Sequence, residues 1–238
     1  MALGEPAFDT MGLATWWPSG RVQLLMEWMH VDIGMDWWPT IMATTLLMRM
    51  VVFPVVVISQ RNLANMTNNG PRMARINEKM NDARRRGDLI ESAQLGGELQ
   101  AFQKEKGINP LKNMAPLMFQ MPVFLSMFFG LRGMAYCPVD SMTTGGLAWF
   151  TNLTVHDPYL VLPIVTAATL YTQLKVGAEG AKLDTFGPKM QVAMAFMPLV
   201  VLFMTYKFPA AVCLYWATNN FISLGQVLVS RRVNHIQC

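Results

Sequence analysis

Charge is what this sequence has least of: only 14% of its 238 residues are Asp, Glu, Lys or Arg, where a soluble domain carries nearer a quarter. Cysteine is almost as sparse. Cys137, Cys213 and Cys238 are scattered, with no CxxC and no Cys/His pair at ligand spacing, which excludes a disulfide framework and a zinc site. The histidines His30, His156 and His235 are equally dispersed. No Gly-rich phosphate loop, nucleophile–base pair or metal cluster occurs along the chain, so neither an enzyme nor a cofactor is expected. The net charge of +4 comes from basic residues spread along the chain rather than gathered with aromatics, and nucleic-acid readout is not expected. No secretory signal and no Arg-rich transit peptide is read before the first apolar run. The sequons at Asn65 and Asn152 mean little without a secretory context.

What abounds is apolar: 53% hydrophobic residues, positive mean hydropathy, 21 Met and 7 Trp. Five long runs predict an all-α membrane protein with spans at about 37–60, 111–133, 158–175, 190–206 and 208–230. They make up a core of 37–232, after a segment 1–36 and before a short end 233–238. Basic residues test this count, because they should alternate between loops if the spans are real. Arg21 stands alone before the first run, nine basic residues lie between Arg61 and Asn109, and none lies between Ala135 and Asp157. Lys175, Lys182 and Lys189 mark the fourth connection, Lys207 stands alone in the fifth, and Arg231 and Arg232 follow the last span. The alternation places the N-terminus outside and the C-terminus inside.

Outside the spans, "SGRVQLLMEWMHVDIG" sets Val22, Leu25, Met26, Met29 and Ile33 at helical spacing, with Arg21, Gln23, Glu27 and His30 elsewhere. An interfacial amphipathic helix is expected there. Residues 61–109 predict an inside-facing helical hairpin that turns at Arg86-Gly87-Asp88, with Asp88 as cap of the second helix. Met73, Ile76, Met80 and Ala83 form one stripe and Leu95, Leu99 and Phe102 the other, while Gly96 and Gly97 weaken the second helix.

One residue breaks the first apolar run. Arg49 lies mid-way in "WWPTIMATTLLMRMVVFPVVVIS", where a cation costs about 2.5–3.5 kcal/mol on insertion scales. None of the 15 Asp and Glu falls inside a span, so Arg49 is expected to be hydrated or to pair transiently with an arriving group. With no partner fixing its geometry, lysine should replace it. Polar stripes point to a shared wet cavity: Tyr215, Asn219, Ser223 and Gln226 in the fifth span, Thr166, Thr169 and Gln173 in the third, and Gln120 in the second. Each such residue alone is as readily interhelical hydrogen-bond glue. An anion carrier or channel using Arg49 and a non-translocating assembly scaffold stand as alternatives. The five unequal spans offer the carrier no inverted repeat.

The segments "RMVVFP", "NPLKNMAPLMFQMPVFL", "LAWFTNLTVHDPYLVLPI" and "FPAAVCLYWATNN" resemble, in order and spacing, the signature blocks of the YidC/Oxa/Alb family of membrane protein insertases. The resemblance covers about Trp37 to Arg232, and "HVDIGMDWW" and "TGGLAWF" are most similar to mitochondrial Oxa-type members. It implies a protein of the mitochondrial inner membrane, N-terminus in the intermembrane space and C-terminus in the matrix. Nascent membrane proteins would be its clients, the lipid bilayer their destination and a translating mitochondrial ribosome a further partner. It also implies a substrate groove with Arg49 as the intramembrane arginine, Thr45 as its neighbouring threonine, and Tyr215 and Trp216 as the paired aromatics of the last span. Bacterial members commonly carry two tyrosines there, and Trp216 cannot accept a hydrogen bond as a hydroxyl does. Mitochondrial members usually continue into a basic, ribosome-docking tail, whereas eight residues follow Ser230 here, so the inside loops are expected to share that contact.

Overall fold

The computed structural model describes residues 6–137, 139–176 and 188–236, without the side chains of 110–114, 116–117, 188–190 and 230–236. The expectation for Lys182 lies outside the described residues, as do those that rest on the side chains of Lys189, Arg231, Arg232 and the 233–238 end. Eight α-helices are described: α1 (Pro18–Val31), α2 (Trp37–Asn68), α3 (Gly70–Arg85), α4 (Leu89–Glu105), α5 (Pro110–Tyr136), α6 (Val161–Val176), α7 (Pro188–Thr205) and α8 (Ala210–Ile236). A 3-10 turn at Asp140–Thr143 completes the regular structure, and among the described residues the only extended pairings are isolated bridges.

The first span does not stop at residue 60. Nothing from Gln60 to Asn68 breaks a helix, so α2 runs on to the Asn69-Gly70-Pro71 punctuation, where Pro71 opens α3. Its 32 residues make about 48 Å of helix, more than a hydrocarbon core of about 30 Å needs. Among the described residues α2 is the helix long and apolar enough to cross a membrane by itself; Val161–Val176 and Gln191–Thr205 are apolar but shorter. α6 starts three residues later than expected because Leu160 turns through φ 57° and the Asp157 carboxylate caps the helix. Asp157 accepts hydrogen bonds from the backbone N–H groups of Tyr159 (3.0 Å) and Leu162 (2.7 Å).

The hairpin forms as its stripes require. Ile76 and Ala83 of α3 and Phe102 of α4 are buried between the two helices, Gly87 supplies the positive φ of the turn, and the Asp88 carboxylate accepts from Glu91 N–H at 2.9 Å. At its base the Asn62 side chain donates to Asn109 C=O (2.8 Å) and accepts from Asn109 N–H (3.0 Å), while Asn65 donates to Lys106 C=O (2.6 Å).

α1 departs from the expected interfacial helix. Val22, Met26 and Met29 are buried as their spacing predicts, but against α5 and α2. Gln23, read as part of the polar face, is buried too, and its amide donates to Gly130 C=O of α5 at 2.9 Å. Gly130 and Gly133 allow that approach: a Cβ on Gly133 would sit 3.2 Å from Gln23 Nε2. Trp28 and Ile33 are exposed.

α8 is the central element, packed against α2, α5 and α6, with α7 outside α6. The apolar core sits at one end, where α1, the starts of α2, α6 and α8 and the end of α5 meet Val139, Met142, Phe150 and Leu153 of the connecting loop. This loop is locked in place. Trp37 Nε1 donates to Ser141 Oγ (2.7 Å), Gly145 leaves no room for a Cβ beside Trp37, and Ala210 and Ala211 donate to Val155 and Leu153 carbonyls. Around these helices the bundle is inverted relative to a soluble protein: Thr44, Thr45, Arg49, Ser59, Gln120 and Ser223 are buried, while Val51, Phe129, Phe203 and Leu228 are exposed.

Candidate functional site

Arg49 is 2% exposed, at the seam between α2 and α8. Its Nε donates to Asn219 Oδ1 of α8 at 2.6 Å. Two turns further along α8, the Gln226 amide donates to the Arg49 carbonyl at 3.3 Å. Asn219 and Gln226 share one face of α8 because seven residues complete nearly two helical turns. The arginine is therefore positioned through both its side chain and its backbone. This corrects the premise that no partner fixes its geometry.

The expected site residues divide into two groups. Tyr215, Asn219 and Ser223 are buried on α8 and Thr45 on α2, with the Thr45 hydroxyl donating back to Ile41 C=O at 2.7 Å. Gln120 of α5 is also buried, and neither atom of its amide finds a hydrogen-bond partner among the described residues. The same holds for Ser59 Oγ, Trp216 Nε1 and Gln226 Oε1. Such atoms are costly in an apolar interior, and water or an arriving polar group would gain most beside them. The Trp216 ring rests on Phe124 (5.3 Å) and meets Phe208 edge-on, and Tyr215 also faces Phe124 (6.1 Å).

Thr169 and Gln173 belong elsewhere. The next residue along α8, Asn220, points toward α6, donating to Thr166 C=O (3.1 Å) and Thr169 Oγ1 (3.0 Å), while Gln173 donates to Asn220 C=O (3.0 Å). The third-span stripe, expected to line the groove beside Arg49, thus forms an interhelical clamp with its polar atoms satisfied. Sequence reasoning missed Asn220, although "TNN" offered two adjacent amides about 100° apart on one helix. Tyr215, Ser223, Gln120 and Asn219 are closed to the outside in this structure, 1%, 2%, 7% and 9% exposed.

An apolar exterior around a buried, amide-held cation defines a class, the α-helical membrane protein with a polar interior. The family model described as 60Kd inner membrane protein matches residues 28–237, and the chain belongs to that family, the YidC/Oxa/Alb family of the resemblance above. It is similar to mitochondrial inner membrane protein OXA1L of Mus musculus, 41% identical over 95% of this chain and 52% of that protein. OXA1 of Saccharomyces cerevisiae is 36% identical over 94% of this chain and 55% of its own length. The membrane protein insertase YidC of Neisseria gonorrhoeae is 33% identical over 90% and 36%. The chain thus spans about half the length of its mitochondrial relatives.

Proposed function

We propose that the chain is a membrane protein insertase rather than an enzyme, built on five spans contributed by α2, α5, α6, α7 and α8. The relatives' names place them in the mitochondrial inner membrane, and the alternation of basic residues supports an N-terminus in the intermembrane space with the α3–α4 hairpin in the matrix. The observation that carries the reading is Arg49, a buried cation held by the Asn219 amide. In this reading its positive charge attracts an acidic group on a client's hydrophilic tail.

Insertion in this scheme is physical. The α2–α8 seam parts and water enters from the matrix. Gln120, Trp216 and Ser59 then offer hydrogen bonds that the closed state leaves unmade. The tail crosses a shortened hydrophobic distance, and burial of the client's apolar segment in lipid supplies the driving force. Nascent membrane proteins are the clients, and the basic stretch 61–109, whose nine Lys and Arg lie on the end of α2 and on the hairpin, is the surface that meets a translating ribosome.

Cysteine accessibility tests the hydrated seam. With Cys213 replaced, single cysteines at Gln226, Ser223, Asn219 and Tyr215 should label with a polar thiol reagent from the matrix side. Labelling should decline in that order toward Tyr215, because a thiolate needs water to form. Val229, exposed on the outer surface of α8, should stay protected in lipid. Complete protection of all four polar positions, in variants that still insert clients, would remove the wet seam and leave Arg49 without a role.

A further inference from the structure

A cleft of about 750 Å³ opens between the start of α1 and the middles of α2 and α5. Gly130 and Gly133 bring α5 close to α1, and the cleft is lined further along α5, at Pro122, Val123 and Ser126. Val22, Met48, Pro122 and Val123 line it, and the Ser126 hydroxyl is turned back onto Pro122 C=O at 2.6 Å, so the lining is apolar. Trp16 and Trp17 at its edge are 86% and 74% exposed. The guanidinium of Arg21, which also borders the cleft, lies 4.7 Å over the Trp16 ring, and no carboxylate pairs with it among the described residues.

Resting on the membrane-spanning reading above, we infer that this cleft is a binding site for one anionic glycerophospholipid, its phosphate on Arg21 and an acyl chain against Val22, Met48 and Val123. The volume is that of a small-molecule site and far exceeds an ordinary packing defect. Two exposed tryptophans beside a cation mark head-group level, where aromatic and basic side chains anchor, and an apolar wedge beneath them suits a chain rather than a head group alone. The site borders the apolar core through Val22 and lies beside Met48, the residue before Arg49. A bound lipid would fill the gap that holds α1 away from α2 and α5 there.

The test uses the full chain in phosphatidylcholine vesicles containing a minority of phosphatidylglycerol with a diazirine on its acyl chain. Photolabel should concentrate on the peptides holding Met48 and Pro122–Ser126. Arg21→Glu should lower it about ten-fold, the loss of one charge-assisted hydrogen bond, whereas Arg21→Lys should retain it. Ser126→Trp fills the cleft and should abolish labelling, and Ser126→Ala should not; unchanged helicity and melting show that each variant is folded. Label spread evenly over the apolar exterior, or indifferent to both Arg21→Glu and Ser126→Trp, overturns the site. Displacement by inorganic phosphate alone would make it a simple anion site, and equal displacement by an apolar client segment would make it a client surface; either overturns the lipid assignment. Extraction of the chain by alkaline carbonate would instead overturn the membrane reading itself.

Discussion

At the residue scale the contact between Arg49 and Asn219 changes what a substitution should do. Lysine keeps the charge but carries it at the end of a flexible stem, without a donor at the position of Nε. Arg49→Lys is therefore expected to retain part of the insertion of an acid-tailed client and to lower the melting temperature of the detergent-solubilised protein. Full activity and an unchanged melt would restore the view that charge alone matters. Asn219→Leu leaves the cation in place and strips its acceptor, which should destabilise the protein by about 1.5–3 kcal/mol. Asn220→Leu, one residue on, removes the side-chain bonds to Thr166 and Thr169 instead, while the backbone carbonyl that Gln173 reaches stays in place. It should cost about 0.6–2 kcal/mol for each interhelical bond lost while leaving the preference for acidic over neutral client tails unchanged. A selective loss of acidic clients in Asn220→Leu would mean that the α6 stripe faces the client after all.

Among the elements, the α3–α4 hairpin is where local sequence and structure agree most closely. Asp88→Ala removes the cap of α4 and should cost about 1 kcal/mol of hairpin stability, seen as faster amide exchange over Leu89–Ala93. Gly97 lies inside α4, and a Cβ added to it would meet nothing within 4 Å, so Gly97→Ala should stabilise the helix by about 0.5–1 kcal/mol. Slower exchange along α4 would register it, and an unchanged rate would show that the helix is limited by its tertiary contacts. Gly145 is the opposite case. A Cβ there would lie 2.6 Å from the Trp37 ring and 2.9 Å from Ser141 C=O, so Gly145→Ala must displace the connecting loop. Increased proteolysis between residues 138 and 157 is the expected sign.

For the molecule as a whole, the hairpin packs mainly on itself and joins the bundle at its base through Asn62, Asn65 and their partners. Hydrogen exchange should therefore resolve two units, a hairpin that opens at low free energy and a bundle protected to the global limit. A single protection limit across both would show them to be one cooperative body. The same division explains what could be read from the sequence. The helical class, the hairpin turn at Gly87, its cap and both stripes, and the single charged residue inside the first apolar run followed from patterns a few residues long, because capping, turn chemistry and 3.6-residue periodicity act locally. The family followed from four short blocks in order. Burial of Gln23, the separation of Asn219 from Asn220, the clamp on Thr169 and Gln173 and the cleft beside Arg21 depend on which helices become neighbours. Periodicity shows that two residues share a face but not which helix that face meets; only the packing of α8 between α2 and α6 turned one amide toward Arg49 and the next toward a structural clamp.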